Sequence, residues 1–168
     1  HGNMYGVKEF FDVSQKYPNI KPILGCEAYV TCHYDHRLKD NDHRKYYHLI
    51  LLAKNYQGYK NLMKIVSTGH IEGMYYDKPR VSHEVLEKYH EGLICSSACI
   101  AGEIPRGILA GDMDAVDKAI EWHKRVFGED YYLEVMLHKS EVPGLSLDLY
   151  QNQMKVNEAI FELARKHG

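Results

Sequence analysis

Short apolar segments alternate with amphipathic segments along this chain, and that alternation limits the folds it can adopt. The apolar segments have the length and the β-branched or aromatic content of buried strands, and they cover residues 22–30, 46–53, 92–97 and 131–137. Helical periodicity or a capping residue marks residues 4–17, 55–67, 83–89, 103–110, 114–127 and 147–166. Strands that alternate with helices predict an α/β fold, either layered or closed into a barrel.

Composition excludes several classes of protein. The 168 residues are enough for one domain with its own core, and 21 basic against 23 acidic side chains leave no basic surface typical of nucleic-acid binding. No apolar run approaches 18 residues, and no charged-then-apolar leader is present, so we expect neither a membrane span nor a secretory signal. Four cysteines without a disulfide-scaffold spacing indicate a reducing compartment, the cytoplasm.

The two ends of the sequence suggest a larger domain. The chain begins with His1 instead of methionine and stops directly after a predicted helix, where the alternation predicts another strand. We therefore expect residues 1–168 to be a single incomplete domain, the central part of a β/α barrel truncated at both ends. Residues 32–45 are polar and are predicted to be a loop insertion.

Eleven histidines raise the question of metal or acid–base chemistry. Those on predicted helices among Glu and Lys are expected on solvated faces, namely His83, His90, His123 and His167. The segment that starts at His83 resembles a zinc-protease helix, but it has Glu87 where the second histidine is needed. The loop residues Cys32, His33, His36 and His43 lack the two tight ligand pairs of a closed zinc site, so a surface loop is the preferred interpretation.

Four other residues have positions that suit a metal site. Glu27 is a charge in the middle of a predicted strand, where it needs a partner or a metal. His48 lies in an apolar strand, where a hydrogen-bonded core histidine is the simpler interpretation. His1 precedes a helix and Cys99 follows a strand, and catalytic groups cluster at such strand-end loops. Imidazole, carboxylate and thiolate together form the ligand set of Zn²⁺ and related ions.

Several sequence blocks resemble one known family in the family's own order. They are HGNMYG at 1–6, KPILGCEAY at 21–29, YHLILLAKN at 47–55, GYKNL at 58–62, EGMYY at 72–76, EGLICSSAC at 91–99 and GEIP at 102–105. The sequence is similar, over most of residues 1–137, to the polymerase and histidinol phosphatase (PHP) domain of bacterial replicative DNA polymerase III alpha subunits.

The resemblance implies a distorted seven-stranded β/α barrel with up to three divalent metals (Zn, Mn or Mg) on nine ligands. Matching motifs assign His1, Glu27, His48 and Cys99 as metal ligands, which reverses the simpler interpretation of His48. His138 follows a predicted strand and is expected to face the mouth of the barrel, where the metal site is expected. It is an additional candidate that matches no family ligand. The family's opening His-x-His and closing Asp-x-His are not in this sequence. By itself, this chain is therefore expected to bind metal partially or not at all and to have no nuclease activity.

Two functions from different classes stay open. In the first, the domain is a metal-dependent phosphoesterase that proofreads as a 3′–5′ exonuclease within a DNA-directed DNA polymerase. In the second, it is a catalytically inactive platform for a separate proofreading exonuclease subunit. A free-standing histidinol-phosphate phosphatase is disfavoured because the blocks match the polymerase branch. The implied partners are DNA and other replisome subunits, and exposed strand edges predict self-association of this chain.

One geometric prediction can be checked directly. Glu27 lies late in its strand, and His48 lies early in the next strand. If both face one metal site, these two strands must run antiparallel, joined across residues 32–45.

Overall fold

The computed structural model describes residues 1–137, 139 and 147–168, without the side chains of residues 147 and 148. Its helices are α1 Val7–Ser14, α2 Tyr56–Ile71, α3 His83–Tyr89, α4 Glu103–Ala110, α5 Met113–Phe127 and α6 Leu147–His167. Its strands are β1 Gly25–Thr31, β2 Tyr47–Ala53, β3 Met74–Tyr75, β4 Lys78–Ser82, β5 Leu93–Ser96 and β6 Tyr131–Tyr132. Short 3₁₀ turns cover Asn41–His43 and Gly128–Asp130.

The strands form one mixed sheet in the order β3-β4-β1-β2-β5-β6. Strand β1 is parallel to β4 and antiparallel to β2, while β5 is antiparallel to β2 and parallel to β6. The carboxyl ends of β1, β4, β5 and β6 therefore lie at the same edge of the sheet as the amino end of β2. This confirms the predicted α/β class, and the described residues form six strands.

One face of the sheet is covered by helices. Alternate residues of β1 and β2 point into this core, where they meet side chains of α2, α3 and α5. Strand periodicity of two then places Glu27, Tyr29 and His48 on the opposite face. A second core, around Ile104, joins α4, α5 and α6.

Local signals predicted most helix starts correctly. The side chain of Asn55 accepts a hydrogen bond from the Gly58 amide at the start of α2, and Asp112 accepts one from the Ala115 amide at the start of α5. The predictions for strands were incomplete. The strand predicted at 131–137 is limited to Tyr131–Tyr132, and neither β3 nor β4 was predicted.

Several histidines do not lie where the sequence placed them. His123 is 1% exposed and His36 is 2% exposed, so the predictions of a solvated helix face and a surface loop were wrong for them. His83 and His167 are also largely buried, whereas His90 is exposed as predicted. Burial of these rings comes from contacts between distant elements, such as the stacking of His123 on Tyr131.

A buried arginine forms hydrogen bonds that fix the position of residues 32–45. Arg80, on β4, is 0% exposed and donates to the carbonyls of His36, Leu38 and His43, and also to that of Gly73. The nitrogens of the planar guanidinium thus donate hydrogen bonds to several backbone oxygens.

Within the described part of the chain, no helix has the length and apolar content required to cross a membrane.

Candidate metal centre

The amino-terminal residues lie against β1 next to Glu27. The Gly2 amide donates to the Glu27 carbonyl at 2.7 Å, which extends the sheet by one hydrogen bond. Gly2 has a φ of +72°, and a Cβ there would come within 2.6 Å of the Pro79 ring. A glycine at this position therefore lets the chain approach β1 closely enough to bring His1 to the carboxylate.

Glu27 contacts two histidines, one with each carboxylate oxygen. Its Oε1 lies 2.7 Å from Nδ1 of His48, and its Oε2 lies 2.7 Å from Nδ1 of His1. His48 is directly opposite Tyr29 in the antiparallel β1–β2 pair, so it shares a face with Glu27. The prediction that these strands run antiparallel is confirmed, and it explains why the two side chains meet.

Cys99 reaches the same point from the loop that follows β5. Its Sγ lies 3.3 Å from Nδ1 of His48 and accepts a hydrogen bond from the Ala101 amide. The His48 amide donates to the Ala101 carbonyl, which ties this loop to the amino end of β2. Ala98 has a φ of +60°, a left-handed conformation that turns the loop back toward the sheet edge.

The surroundings of His48 favour its neutral form. Burial lowers its pKa, as do Arg106, the amino terminus and Lys78, while Glu27 acts in the opposite direction. The 2.7 Å contact between Nδ1 and Glu27 is an ion-pair contact, whereas the hydrogen-bond partner of Nδ1 is Sγ of Cys99. One ligand atom each from Glu27, His48 and Cys99 lies within 4.8 Å of the others, the arrangement needed to hold a cation.

Comparison with known proteins identifies the family. A family model described as "PHP domain" matches residues 1–138. The chain belongs to the PHP domain family. This PHP domain is 46% identical over 169 residues to DNA polymerase III subunit alpha of Borreliella burgdorferi, with all of the chain and 14% of the relative covered. It is 42% identical over 172 residues to the protein of the same name from Treponema pallidum, with 100% and 14% covered.

More distant relatives carry the same name. DNA polymerase III subunit alpha of Thermus aquaticus is 36% identical over 170 residues, which cover all of this PHP domain and 13% of the relative. The chain thus spans about one seventh of the length of the curated relatives it matches.

The four residues predicted from motifs converge at one edge of this PHP domain. His1, Glu27, His48 and Cys99 form a connected set of contacts. Their role as ligands stays a prediction. The additional candidate, His138, lies outside the described residues.

A second group of metal-type side chains was missed by the sequence analysis. Cys32, His83 and Glu103 each offer one ligand atom within 4.8 Å of the others. The first two had been assigned to a surface loop and a solvated helix face. Cys32 and His83 become neighbours because β1 pairs with β4, and β4 was not predicted from the sequence.

Proposed function

We propose that this chain is the PHP domain of a bacterial DNA polymerase III alpha subunit and acts in DNA replication in the cytoplasm. Support comes from relatives of that name that align over the whole chain. DNA and other replisome subunits are then its partners through the complete protein, a DNA-directed DNA polymerase. The polymerase carboxylates belong to a separate domain of that protein.

We further propose that His1, Glu27, His48 and Cys99 hold divalent metal ions. The observation that carries this proposal is that two imidazoles meet the two oxygens of one carboxylate while a thiol touches one of the rings. Two imidazole nitrogens and one thiolate sulfur around a carboxylate fit Zn²⁺ and, less selectively, Mn²⁺. Mg²⁺ prefers oxygen ligands and suits this set less well.

A metal bound here supplies Lewis acidity and a hydroxide-like water for hydrolysis of a phosphodiester bond. The protein's part is to place the ligands and to release a proton. Nδ1 of His48 can serve as a ligand only when the ring is neutral and its proton is on Nε2, and a thiol such as that of Cys99 has to lose its proton to ligate. Affinity should therefore fall as the pH is lowered. Glu27 has two oxygens directed to different histidines and would hold the metal together with them.

In the complete protein, this chemistry is proposed to be 3′–5′ exonuclease proofreading. The family pattern includes a His-x-His and an Asp-x-His that this sequence does not contain. We therefore expect the isolated chain to bind metal partially or not at all and to release no nucleotides from single-stranded DNA.

One observation favours the alternative of an inactive platform for a separate exonuclease subunit. Glu27 is already hydrogen-bonded to His1 and in close contact with His48, so the group stabilises this end of the sheet without a metal. Self-association of the chain, the other predicted contact, would use the edge strands β3 and β6. Sedimentation of a monomer at high concentration would argue against it.

The complete polymerase that contains this sequence provides the test. Chelator-sensitive release of nucleotides from the 3′ end of single-stranded DNA, lost in Glu27→Gln with primer extension retained, supports proofreading. Primer extension without any release, together with binding of a separate exonuclease subunit, supports the platform. If the complete protein does not extend primers, the proposed role in replication is wrong.

A further inference from the structure

The second group of polar side chains lies on the core side of the sheet. Cys32 directly follows β1 and packs against the core, and His83 directly follows β4. Because Thr31 is opposite Ser82 in the parallel pair, Cys32 and His83 emerge side by side. Glu103 joins them from the first turn of α4. This group is therefore separate from the set formed by His1, Glu27, His48 and Cys99, here called the Glu27 group. The Glu27 group lies on the opposite face of the sheet.

Cys32 and Glu103 are hydrogen-bonded to each other, but the third member of the group, His83, is not within hydrogen-bond distance of Glu103. Nε2 of His83 lies 3.9 Å from Oε2 of Glu103, too far for a hydrogen bond. Two ligand atoms on a tetrahedral zinc, with bonds of roughly 2.0–2.1 Å, are about 3.3 Å apart. A shift of a few tenths of an ångström by each side chain would close the difference.

Unpartnered polar atoms mark the space between these residues. Nε2 of His83, Oε2 of Glu103 and the Tyr131 hydroxyl are fully buried, and none has a hydrogen-bond partner among the described residues. The Tyr131 hydroxyl is close enough to Cys32 and Glu103 for their charges to raise its pKa further, beyond the effect of burial. Buried polar atoms without partners are rare in folded proteins, and several in one place indicate an ion or water between them.

Burial disfavours charge on each member of the group. It lowers the pKa of His83 to about 3, so the ring is neutral and Nε2 can offer a lone pair. It raises the pKa of the Cys32 thiol and of the Glu103 carboxyl, and Glu103 adds to the effect on Cys32. A divalent cation reverses this balance, because its two charges compensate a thiolate and a carboxylate together.

The ring of His83 is fixed in place and the group can be reached from solvent. His83 stacks on Trp122 with ring centres 3.5 Å apart and planes 10° apart, and the Trp122 indole donates to Glu87. A cavity of about 210 Å³ is lined in part by His33 and Glu103, so solvent approaches the group from the Glu103 side. Nε2 of His33 is 3.5 Å from Oε1 of Glu103, in position to supply a fourth ligand.

We propose that Cys32, His83 and Glu103 form a zinc site on the core side of the sheet, with His33 or water as the fourth ligand. Thiolate, imidazole and carboxylate around a closed, partly buried point are typical of Zn²⁺. At the junction of β1, β4 and α4, a bound ion would tie three elements together in a structural role.

Binding of Co²⁺ to the 168-residue chain tests this site, since thiolate ligation gives a charge-transfer absorption in the near ultraviolet. Cys99→Ser removes the thiol of the Glu27 group and leaves Cys32 in place. The Cys99→Ser chain is expected to keep a thiolate–Co²⁺ band that saturates with one equivalent and that Zn²⁺ displaces. Cys32→Ser in the same background should abolish it.

Two further variants keep the test decisive if the double cysteine variant does not fold. Glu103→Gln is isosteric and, in the Cys99→Ser background, should weaken Co²⁺ binding by about 10–100-fold. Glu84→Gln, an exposed neighbour of His83, is the matched control and should change nothing. Absence of the band from Cys99→Ser, or unchanged affinity in Glu103→Gln, would overturn the proposal and leave water as the occupant. Neither result bears on the Glu27 group.

Discussion

Glu27→Gln is the substitution that most sharply probes the candidate metal centre. The change keeps the size of the side chain but replaces one carboxylate oxygen by an amide NH₂ and removes the negative charge. Glu27 contacts Nδ1 of His48 with one oxygen and Nδ1 of His1 with the other, both at 2.7 Å. A glutamine can accept from only one of them, so one contact is lost.

The size of the effect depends on which state is measured. Without metal, the His48 contact is largely buried and the His1 side chain is 86% exposed, so the variant keeps the former and loses the weaker contact. We expect the free energy of unfolding to fall by about 1 kcal/mol. With metal, a ligand charge is lost, and we expect the dissociation constant for Zn²⁺ or Mn²⁺ to rise by at least about 10–100-fold.

Isothermal titration calorimetry measures the second effect, and thermal unfolding with a chelator measures the first. Both chains should also carry Glu103→Gln so that the second group does not contribute heat. Glu121→Gln, an exposed glutamate on α5, is the control for loss of one surface charge. Equal metal affinity in the Glu27→Gln chain and its parent would refute the assignment of Glu27 as a ligand.

Three further predictions concern the fold around the site. Arg80→Lys keeps the charge but removes the guanidinium that donates to several backbone carbonyls. The free energy of unfolding measured in urea should therefore fall by about 2–4 kcal/mol. A decrease of less than about 0.5 kcal/mol would contradict that account. Gly58→Ala would put a Cβ 1.8 Å from the Gly92 carbonyl oxygen. Although alanine favours helices, this clash should destabilise the protein by about 1–3 kcal/mol, and a higher melting temperature would show that the backbone yields easily. Burial lowers the pKa of His123 to about 4, whereas an unfolded histidine titrates near 6.5. The unfolded state therefore binds the extra proton, and stability is highest above about pH 6.5 and falls by about 2 kcal/mol on going to pH 5. In urea melts with chelator at pH 8 and pH 5, His123→Phe should show a pH dependence smaller by that amount, and an unchanged dependence would place the titration elsewhere.

Local sequence signals accounted for the elements that depend on near neighbours. Asn55 and Asp112 begin their helices because their side chains cap amides three residues ahead. The order of Glu27 and His48 along two consecutive strands was enough to predict antiparallel pairing. These features need only short-range geometry and the assumption of one shared site.

Features that depend on distant partners were not accessible in the same way. The segment Lys78–Ser82 contains Pro79 and Arg80, which argue against a buried central strand. Arg80 is nevertheless fully buried because backbone carbonyls from residues 36–43 and Gly73 surround it. Without that strand, nothing in the sequence brings Cys32 next to His83.

The burial of His123, in contrast, could have been predicted from helical periodicity. The residues three and four positions away on the same face of α5 are apolar and buried, namely Ala119, Ile120, Val126 and Phe127. In the folded chain, the ring packs between Trp122 and Tyr131 and donates from Nδ1 to the Ala119 carbonyl. A backbone acceptor one turn away satisfies the polar atom, so burial carries little penalty.

The most direct test of the metal centre is to locate the ions. Crystals of the chain grown with Zn²⁺ or Mn²⁺ should show an anomalous scattering peak within bonding distance of Glu27 and of Sγ of Cys99, with Nδ1 of His48 turned to the same ion. The result that contradicts the account is a crystal soaked to saturation with the metal that shows no peak there and in which both histidines still contact Glu27.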